Sequence, residues 1–184
     1  MQSFLLLLIS SLLWFTATTA LDAGAIQDIK PRTCGNSSDA VPLFVVASQQ
    51  YSDFYIATDV NLITAPVNRG YAFLGVGARV FTTQETSTVP FYELYSNSVT
   101  DHFFTISEVD RDLAITDGYT DYGIIAYIYP TQICGSIPYY QLFNPSVAEH
   151  WYTAVEVERD TMVAAGWSDE GIAGYVLDAN VCSG

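Results

Sequence analysis

The sequence predicts a β-rich α+β domain built from three strand–strand–helix–strand repeats that close around a pseudo-threefold axis. The first observation is a constant offset of 48 residues, at which Asp53, Asp101 and Glu149 follow one another. The second is the ungapped match of residues 89–128 with 137–176, which has 16 identities in 40 positions. Repeats of this length bury their apolar faces only against one another, so three of them form one core.

The repeats span about residues 41–84, 89–132 and 137–180, within a single domain over 41–184. A polar arm, residues 21–40, precedes them. A β-trefoil-like fold is the alternative, because trefoil repeats have a similar length. We rank it second, since trefoil repeats lack the capped helical segment that this sequence predicts.

The first strand of each repeat is predicted from aromatic and alternating residues. Tyr92 and Leu94 share one face by the period of two, and we expect this face to point into the core. A turn follows, and the second strands are predicted at 101–105 and 149–153. The last strands are expected to start after Gly123 and Gly171. The acidic side chains of Asp121, Asp169 and Glu170 would then be solvated charges in the preceding turn.

A short helix is predicted between the second and the last strand. Capping boxes are expected from Thr105 with Glu108, and from Thr153 with Glu156. An apolar side is expected from residues that include Val109, Leu113, Val157, Met162 and Val163. Gly118 and Gly166 stand where a left-handed residue would end the helix. Pro66 predicts a short or distorted helix in repeat one.

The N-terminus has the pattern of a secretory signal peptide. An apolar run from Phe4 to Phe15 precedes small residues ending at Ala20, which predicts a signal peptide over 1–20 and a secreted, extracellular protein. The formal net charge of −14 argues against nucleic acid and acidic membrane surfaces as partners, because both are bound through clustered Lys and Arg.

Three cysteines fit an oxidising compartment, where two of them would pair. Cys34–Cys134 is the first choice and Cys34–Cys182 the second, and either bridge would tie the arm to the repeats. Asn36 begins an Asn-Ser-Ser sequon and is the predicted glycosylation site.

The repeat phrases resemble a known family. The carrying motifs are Asp101-His102-Phe103-Phe104-Thr105 and Glu149-His150-Trp151-Tyr152-Thr153, each followed by Gly-Tyr or Gly-Trp and by Gly-Ile. They are similar to a repeat family of unknown function with a His-aromatic-aromatic-Thr core, found in fungal secreted proteins and beside bacterial cell-wall hydrolases and peptidases. The resemblance implies a secreted context and, by association, binding to wall polysaccharide. Repeat one departs from the motif, with Phe54 in place of His.

The sequence carries no recognised catalytic motif, zinc signature or phosphate-binding loop, and no cofactor is expected. We therefore expect a non-catalytic, lectin-like module that binds an extracellular glycan or cell-wall polysaccharide. The expected ligand-binding residues are Asp101, His102, Glu149, His150, Trp151 and Trp167. Two alternatives stay open: a polysaccharide hydrolase with paired carboxylates, and an extracellular structural or interaction protein. All six residues also fit a purely structural role, in core or scaffold.

Overall fold

The computed structural model of the protein describes residues 33–180. The predicted signal peptide, most of the predicted arm and Cys182 lie outside the described residues. Three similar three-stranded antiparallel sheets follow one another along the chain, and the first strand of each is the central one. A helix connects the second strand of each sheet to the third. This confirms the predicted β-rich class and the order of elements.

The strands of the first sheet are β1 (Val41–Ser48), β2 (Asp53–Ala57) and β3 (Ala72–Val80), with helix α1 at Val60–Asn68. The second sheet has β4 (Val89–Ser96), β5 (Asp101–Thr105) and β6 (Thr120–Ile128), with α2 at Glu108–Thr116. The third has β7 (Ile137–Asn144), β8 (Glu149–Thr153) and β9 (Ser168–Val176), with α3 at Glu156–Ala164.

The central strands bury both of their faces. Leu43, Phe91 and Tyr139 are fully buried and belong to one large apolar cluster, to which all three sheets contribute. Tyr92 and Leu94 are also buried, but on the opposite face of β4. The predicted burial of the face with Tyr92 and Leu94 is therefore confirmed, although the cluster shared by the three sheets takes Phe91 from the other face of β4.

The capping boxes predicted at Thr105 and Thr153 are wrong, because both residues end a strand and the helices begin later. The Thr105 hydroxyl accepts from the backbone N–H of Ser107 at 3.0 Å, which makes a turn between strand and helix. Ser107 is the residue that caps α2, and its hydroxyl accepts from the N–H of Asp110. The predicted ends are confirmed, since Gly118 and Gly166 adopt left-handed φ values of 95° and 99°.

The apolar side predicted for the helices does not pack. Val109 and Val157 are exposed, and no residue of α2 or α3 is buried. Instead, the guanidinium groups of Arg111 and Arg159 lie 4.7 and 4.5 Å above the rings of Tyr92 and Tyr140. The two arginines make cation–π contacts at the positions of α2 and α3 that correspond to Ile63, the buried residue of α1.

The helix that contains Pro66 is not short, because α1 has nine residues like the other two. Pro66 lies in its last turn, near the end of the helix, so it interrupts little of the hydrogen-bond ladder.

The last strands begin earlier than predicted, at Thr120 and Ser168. Asp121 and Asp169 therefore lie within strands rather than in a preceding turn, although both are exposed, as expected. The register shifts between Glu93 and Leu94, which leaves Tyr122 without a partner in the ladder. Such a bulge re-aims the side chain of its extra residue.

The predicted Cys34–Cys134 disulfide is confirmed, with the two Cα atoms 5.6 Å apart. It joins the segment before β1 to the connection between the second and third sheets. The hydroxyl of Tyr129 also accepts a hydrogen bond from the backbone N–H of Gly35, at 3.1 Å. The segment around the sequon at Asn36 is therefore held against the body of the domain.

Candidate ligand-binding clefts

An acidic residue begins the second strand of each sheet, and these three strands contact one another. Asp53, Asp101 and Glu149 are 1%, 0% and 9% exposed. The residue before each of them has a positive φ, which turns the chain sharply into the strand: Ser52, Thr100 and Ala148. The acidic residues therefore stand at corresponding places, where the sheets meet.

The Asp101 carboxylate accepts hydrogen bonds from residues of two sheets. Its Oδ2 accepts from the hydroxyl of Tyr119 at 2.6 Å, within the same sheet unit. From the next unit, the backbone N–H of His150 donates to Oδ1 at 2.7 Å, and His150 Nδ1 lies 2.7 Å from Oδ2. A carboxylate accepts, so the ring proton of His150 belongs on Nδ1. Asp101 thus joins the second unit to the third.

Asp53 repeats this arrangement between the first and second units. The hydroxyl of Tyr71 donates to its Oδ2 at 2.6 Å, and His102 Nδ1 lies 2.8 Å from Oδ1. Burial, followed by the hydrogen bond to Asp53, raises the pKa of the Tyr71 hydroxyl, and the same causes act on Tyr119 with Asp101. The partners of both carboxylates therefore include side chains of two units.

Glu149 has neither of these partners. Residue 54, which corresponds to His102 and His150, is Phe, and residue 167, which corresponds to Tyr71 and Tyr119, is Trp. The Glu149 side chain makes no hydrogen bond and no ion pair with any residue that the structure describes.

Phe54 keeps the packing of the histidine while losing its hydrogen bond. Its ring lies 4.7 Å from that of Trp151, just as His102 lies 4.8 Å from Tyr55 and His150 lies 5.0 Å from Phe103. The ring at this position therefore always packs on an aromatic side chain of the preceding unit.

The missing partners change the electrostatics of Glu149. Burial raises its pKa to about 7, and the nearby charges of Asp53 and Asp101 add to the rise. Among the described residues, no positive group offsets these effects on the pKa. The protonation state of Glu149 therefore changes near neutral pH.

A cleft lies at each junction between units. The tyrosine cleft, between the first and second units, has a volume of about 570 Å³. Its lining includes four tyrosines, Tyr55, Tyr71, Tyr95 and Tyr122, together with Asp53, Glu93, His102 and Arg69. The bulge places Tyr122 here. A hydrogen-bond network therefore occupies the polar part of this cleft.

The tryptophan cleft lies between the third and first units and has a volume of about 490 Å³. Trp151, Trp167 and Glu149 form one wall, and Ala47, Gln49 and Leu74 are among the residues opposite. The two indole rings are 6.2 Å apart, at 75° to each other. Small side chains stand here where the tyrosine cleft has tyrosines: Ala47 corresponds to Tyr95, and Leu74 to Tyr122, each 48 positions earlier.

The two indoles of this cleft differ in their surroundings. Trp151 packs against the central cluster, and its indole N–H donates to Glu158 at 3.1 Å. Trp167 is half-buried, and its indole N–H makes no hydrogen bond to a described residue. Trp167 therefore offers both a ring face and a free donor to the cleft.

The third cleft, between the second and third units, is the smallest, at about 330 Å³. Phe103, Tyr119 and His150 line it, with Asp110 and Asp117 of α2 and its C-cap. Its tyrosine hydroxyl and its histidine are already bound to Asp101.

The structure therefore divides the predicted ligand-binding residues. It brings Glu149, Trp151 and Trp167 together in one cleft, and places His102 and His150 in the other two. Asp101 lines none of these clefts, because its neighbours enclose it. Sequence reasoning missed the tyrosine cleft, although aromatic residues at repeat-equivalent positions were a signal for it.

The described residues show no metal centre, since no group of three His, Cys, Asp or Glu side chains is placed to hold an ion. Among these residues there is also no helix with the length and apolar character needed to cross a membrane. The chemistry that the clefts do offer is aromatic stacking, hydrogen bonding and, at Glu149, one unpaired carboxyl group.

Comparison with known proteins finds one family. A family model described as "Domain of unknown function (DUF5648)" matches residues 43–177, which is most of the chain. No curated protein and no solved structure matches the chain.

Proposed function

The chain belongs to the DUF5648 family of unknown function, and from the chemistry of its clefts we propose that the protein is a secreted, non-catalytic module that binds extracellular glycans. The observation that carries this proposal is the tryptophan cleft, which is lined by two indoles and by the carboxyl group of Glu149. Glu149 has no hydrogen-bond partner among the described residues, whereas Asp53 in the tyrosine cleft is bound to Tyr71 and His102.

The tryptophan cleft has the chemistry that a sugar requires. Aromatic faces suit the C–H surfaces of a pyranose ring, and the indole N–H of Trp167 can donate to a hydroxyl. The amide side chains of Gln49 and Gln50, both exposed on the opposite wall, supply further donors and acceptors. An open cleft of this size admits one or two sugar units of a longer chain.

Secretion is part of the same proposal. Its supports are the apolar N-terminal run and the Cys34–Cys134 disulfide, because disulfides persist in oxidising compartments. The pseudo-threefold arrangement is also proposed. It is supported by the constant offset and by the β-bridges that link the third strands in a cycle: Arg79 with Leu177, Phe81 with Tyr127, and Tyr129 with Tyr175.

A polysaccharide hydrolase is the second candidate, and one observation favours it. Glu149 has a pKa of about 7 beside two tryptophans, as a general acid requires. A glycosidase also needs a second carboxyl group across the sugar. Glu149 is the one carboxyl among the described residues that line this cleft, while Asp53 and Asp101 are held by hydrogen bonds. Binding without hydrolysis is therefore the better proposal.

Retention on insoluble polysaccharides tests the proposal. The secreted protein is incubated with chitin, chitosan, cellulose and β-1,3-glucan, and bound protein is measured. We expect at least one polymer to retain the wild type and Trp167→Ala to lose that retention at an unchanged melting temperature. Tyr122→Ala, in the tyrosine cleft, is the matched control and should still be retained. The proposal fails if none of the polymers retains the wild type, and release of soluble sugar would favour the hydrolase.

A further inference from the structure

The unpaired Glu149 carboxyl group indicates what kind of sugar the tryptophan cleft takes. A carboxyl group that is 9% exposed normally has hydrogen-bond partners, as Asp53 and Asp101 do. Glu149 lacks them although it lines an open cleft. Its oxygens are therefore available to a donor that enters the cleft.

The surroundings of Glu149 favour a cation over a neutral group. Asp53 and Asp101 both act on it through their negative charge, and no described basic side chain pairs with it. A positive ligand would gain from all three carboxylates, whereas a neutral ligand would leave the repulsion among them unchanged.

The aromatic walls suit the same ligand. Trp151 and Trp167 stand beside Glu149, and indole faces attract ammonium groups more strongly than other aromatic side chains do. At the other junctions a histidine already binds the corresponding carboxylate. An incoming ammonium would supply to Glu149 the donor that Phe54 lacks.

From this geometry we infer that the tryptophan cleft binds an amino sugar with a free ammonium group, which pairs with Glu149 while the sugar ring stacks on Trp167. This inference rests on the proposed glycan-binding function and names the class of glycan. It predicts preference for a deacetylated polymer, because an N-acetyl group removes the positive charge and adds bulk at the carboxylate.

The test is calorimetric titration of the full chain, expressed through a secretory pathway, with two tetramers of equal length. One is the fully deacetylated glucosamine tetramer and the other is the N-acetylglucosamine tetramer. We expect the wild type to bind the amine-bearing tetramer at least about tenfold more tightly. Glu149→Gln should lose about that factor for the amine tetramer, so that its preference for the amine over the N-acetyl tetramer falls to within about twofold.

Phe54→His provides a second variant that leaves the cleft's own residues in place. The new imidazole would stand where His102 and His150 stand, and would bind Glu149 as they bind Asp53 and Asp101. We expect it to weaken binding of the amine tetramer. Circular dichroism of each variant confirms that the fold is kept.

The outcomes separate the two proposals. Equal affinity for both tetramers, or full amine binding by Glu149→Gln, overturns the inference while leaving glycan binding intact. Binding of neutral glucans alone does the same. Failure of both tetramers and of every polymer in the retention experiment overturns the proposed function as well.

Discussion

The tyrosine cleft and the tryptophan cleft are built from corresponding residues, yet the acidic residue of the first is hydrogen-bonded to its neighbours and that of the second is not. In the first, Asp53 accepts from Tyr71 and His102. In the second, Trp167 and Phe54 stand at the corresponding positions, and neither donates to Glu149. The comparison of the two clefts shows how a repeat can form a ligand site. Where the hydrogen-bonding Tyr and His of one junction are replaced by Trp and Phe at another, the carboxylate is left without partners and is available to a ligand.

The largest expected difference between the junctions is in stability. Asp101→Ala should lower the free energy of unfolding by about 3–5 kcal/mol, because it removes a buried carboxylate and leaves the half-buried donors of Tyr119 and His150 unpaired. Glu149→Ala should cost far less, since no described group depends on that carboxyl. Urea denaturation of both variants measures the difference, and equal losses would contradict the distinction between the junctions.

The tyrosine hydroxyls give a smaller test of the same kind. Tyr71→Phe removes a hydrogen bond to the Asp53 carboxylate and should cost about 1.5–3 kcal/mol. Trp167→Phe, at the corresponding place in the tryptophan cleft, removes no hydrogen bond within the described residues. Its unfolding free energy should stay nearer that of the wild type. A larger loss for Trp167→Phe would show that Trp167 serves the core.

The pH dependence of stability should carry the signature of Glu149. Its pKa is raised from the ordinary value of 4.5 to about 7 in the fold, so the folded state binds a proton more tightly than the unfolded chain. Stability should therefore fall as pH rises from about 4.5 through 7, by roughly 1–2 kcal/mol after allowance for solvent screening. Glu149→Gln should remove this part of the profile. Thermal unfolding across that pH range measures it, and a profile unchanged by Glu149→Gln would contradict the raised pKa.

Much of the fold could be predicted because its causes are local or periodic. The strands at 101–105 and 149–153 begin and end as predicted, and Gly118 ends its helix as a left-handed residue. The capping boxes failed because the pattern Thr-x-x-Glu does not show whether its Thr ends a strand or begins a helix. Val109 and Leu113 have helical spacing, yet Arg111 occupies the side of α2 that meets Tyr92.

The site was predictable only in part, because its geometry joins units that are far apart in sequence. Trp151 and Trp167 were found as residues that differ between repeats, and Glu149 as a position that is acidic in all three. Asp101 is hydrogen-bonded to His150 and not to its sequence neighbour His102. This pairing depends on how the sheets meet, which a single sequence does not show. Phe54 was a visible departure, but its meaning came from the carboxylate it leaves unpaired.

Tryptophan emission during titration tests the central claim most directly, because Trp151 and Trp167 are the tryptophans of the described residues and both line one cleft. The titrant is an oligosaccharide of whichever polymer retains the wild type. The account predicts a saturable change in emission, at the affinity that calorimetry gives, which Tyr122→Ala keeps and Trp167→Ala loses. Calorimetric binding with unchanged emission, abolished by Tyr122→Ala and kept by Trp167→Ala, would place the ligand in the tyrosine cleft and contradict it.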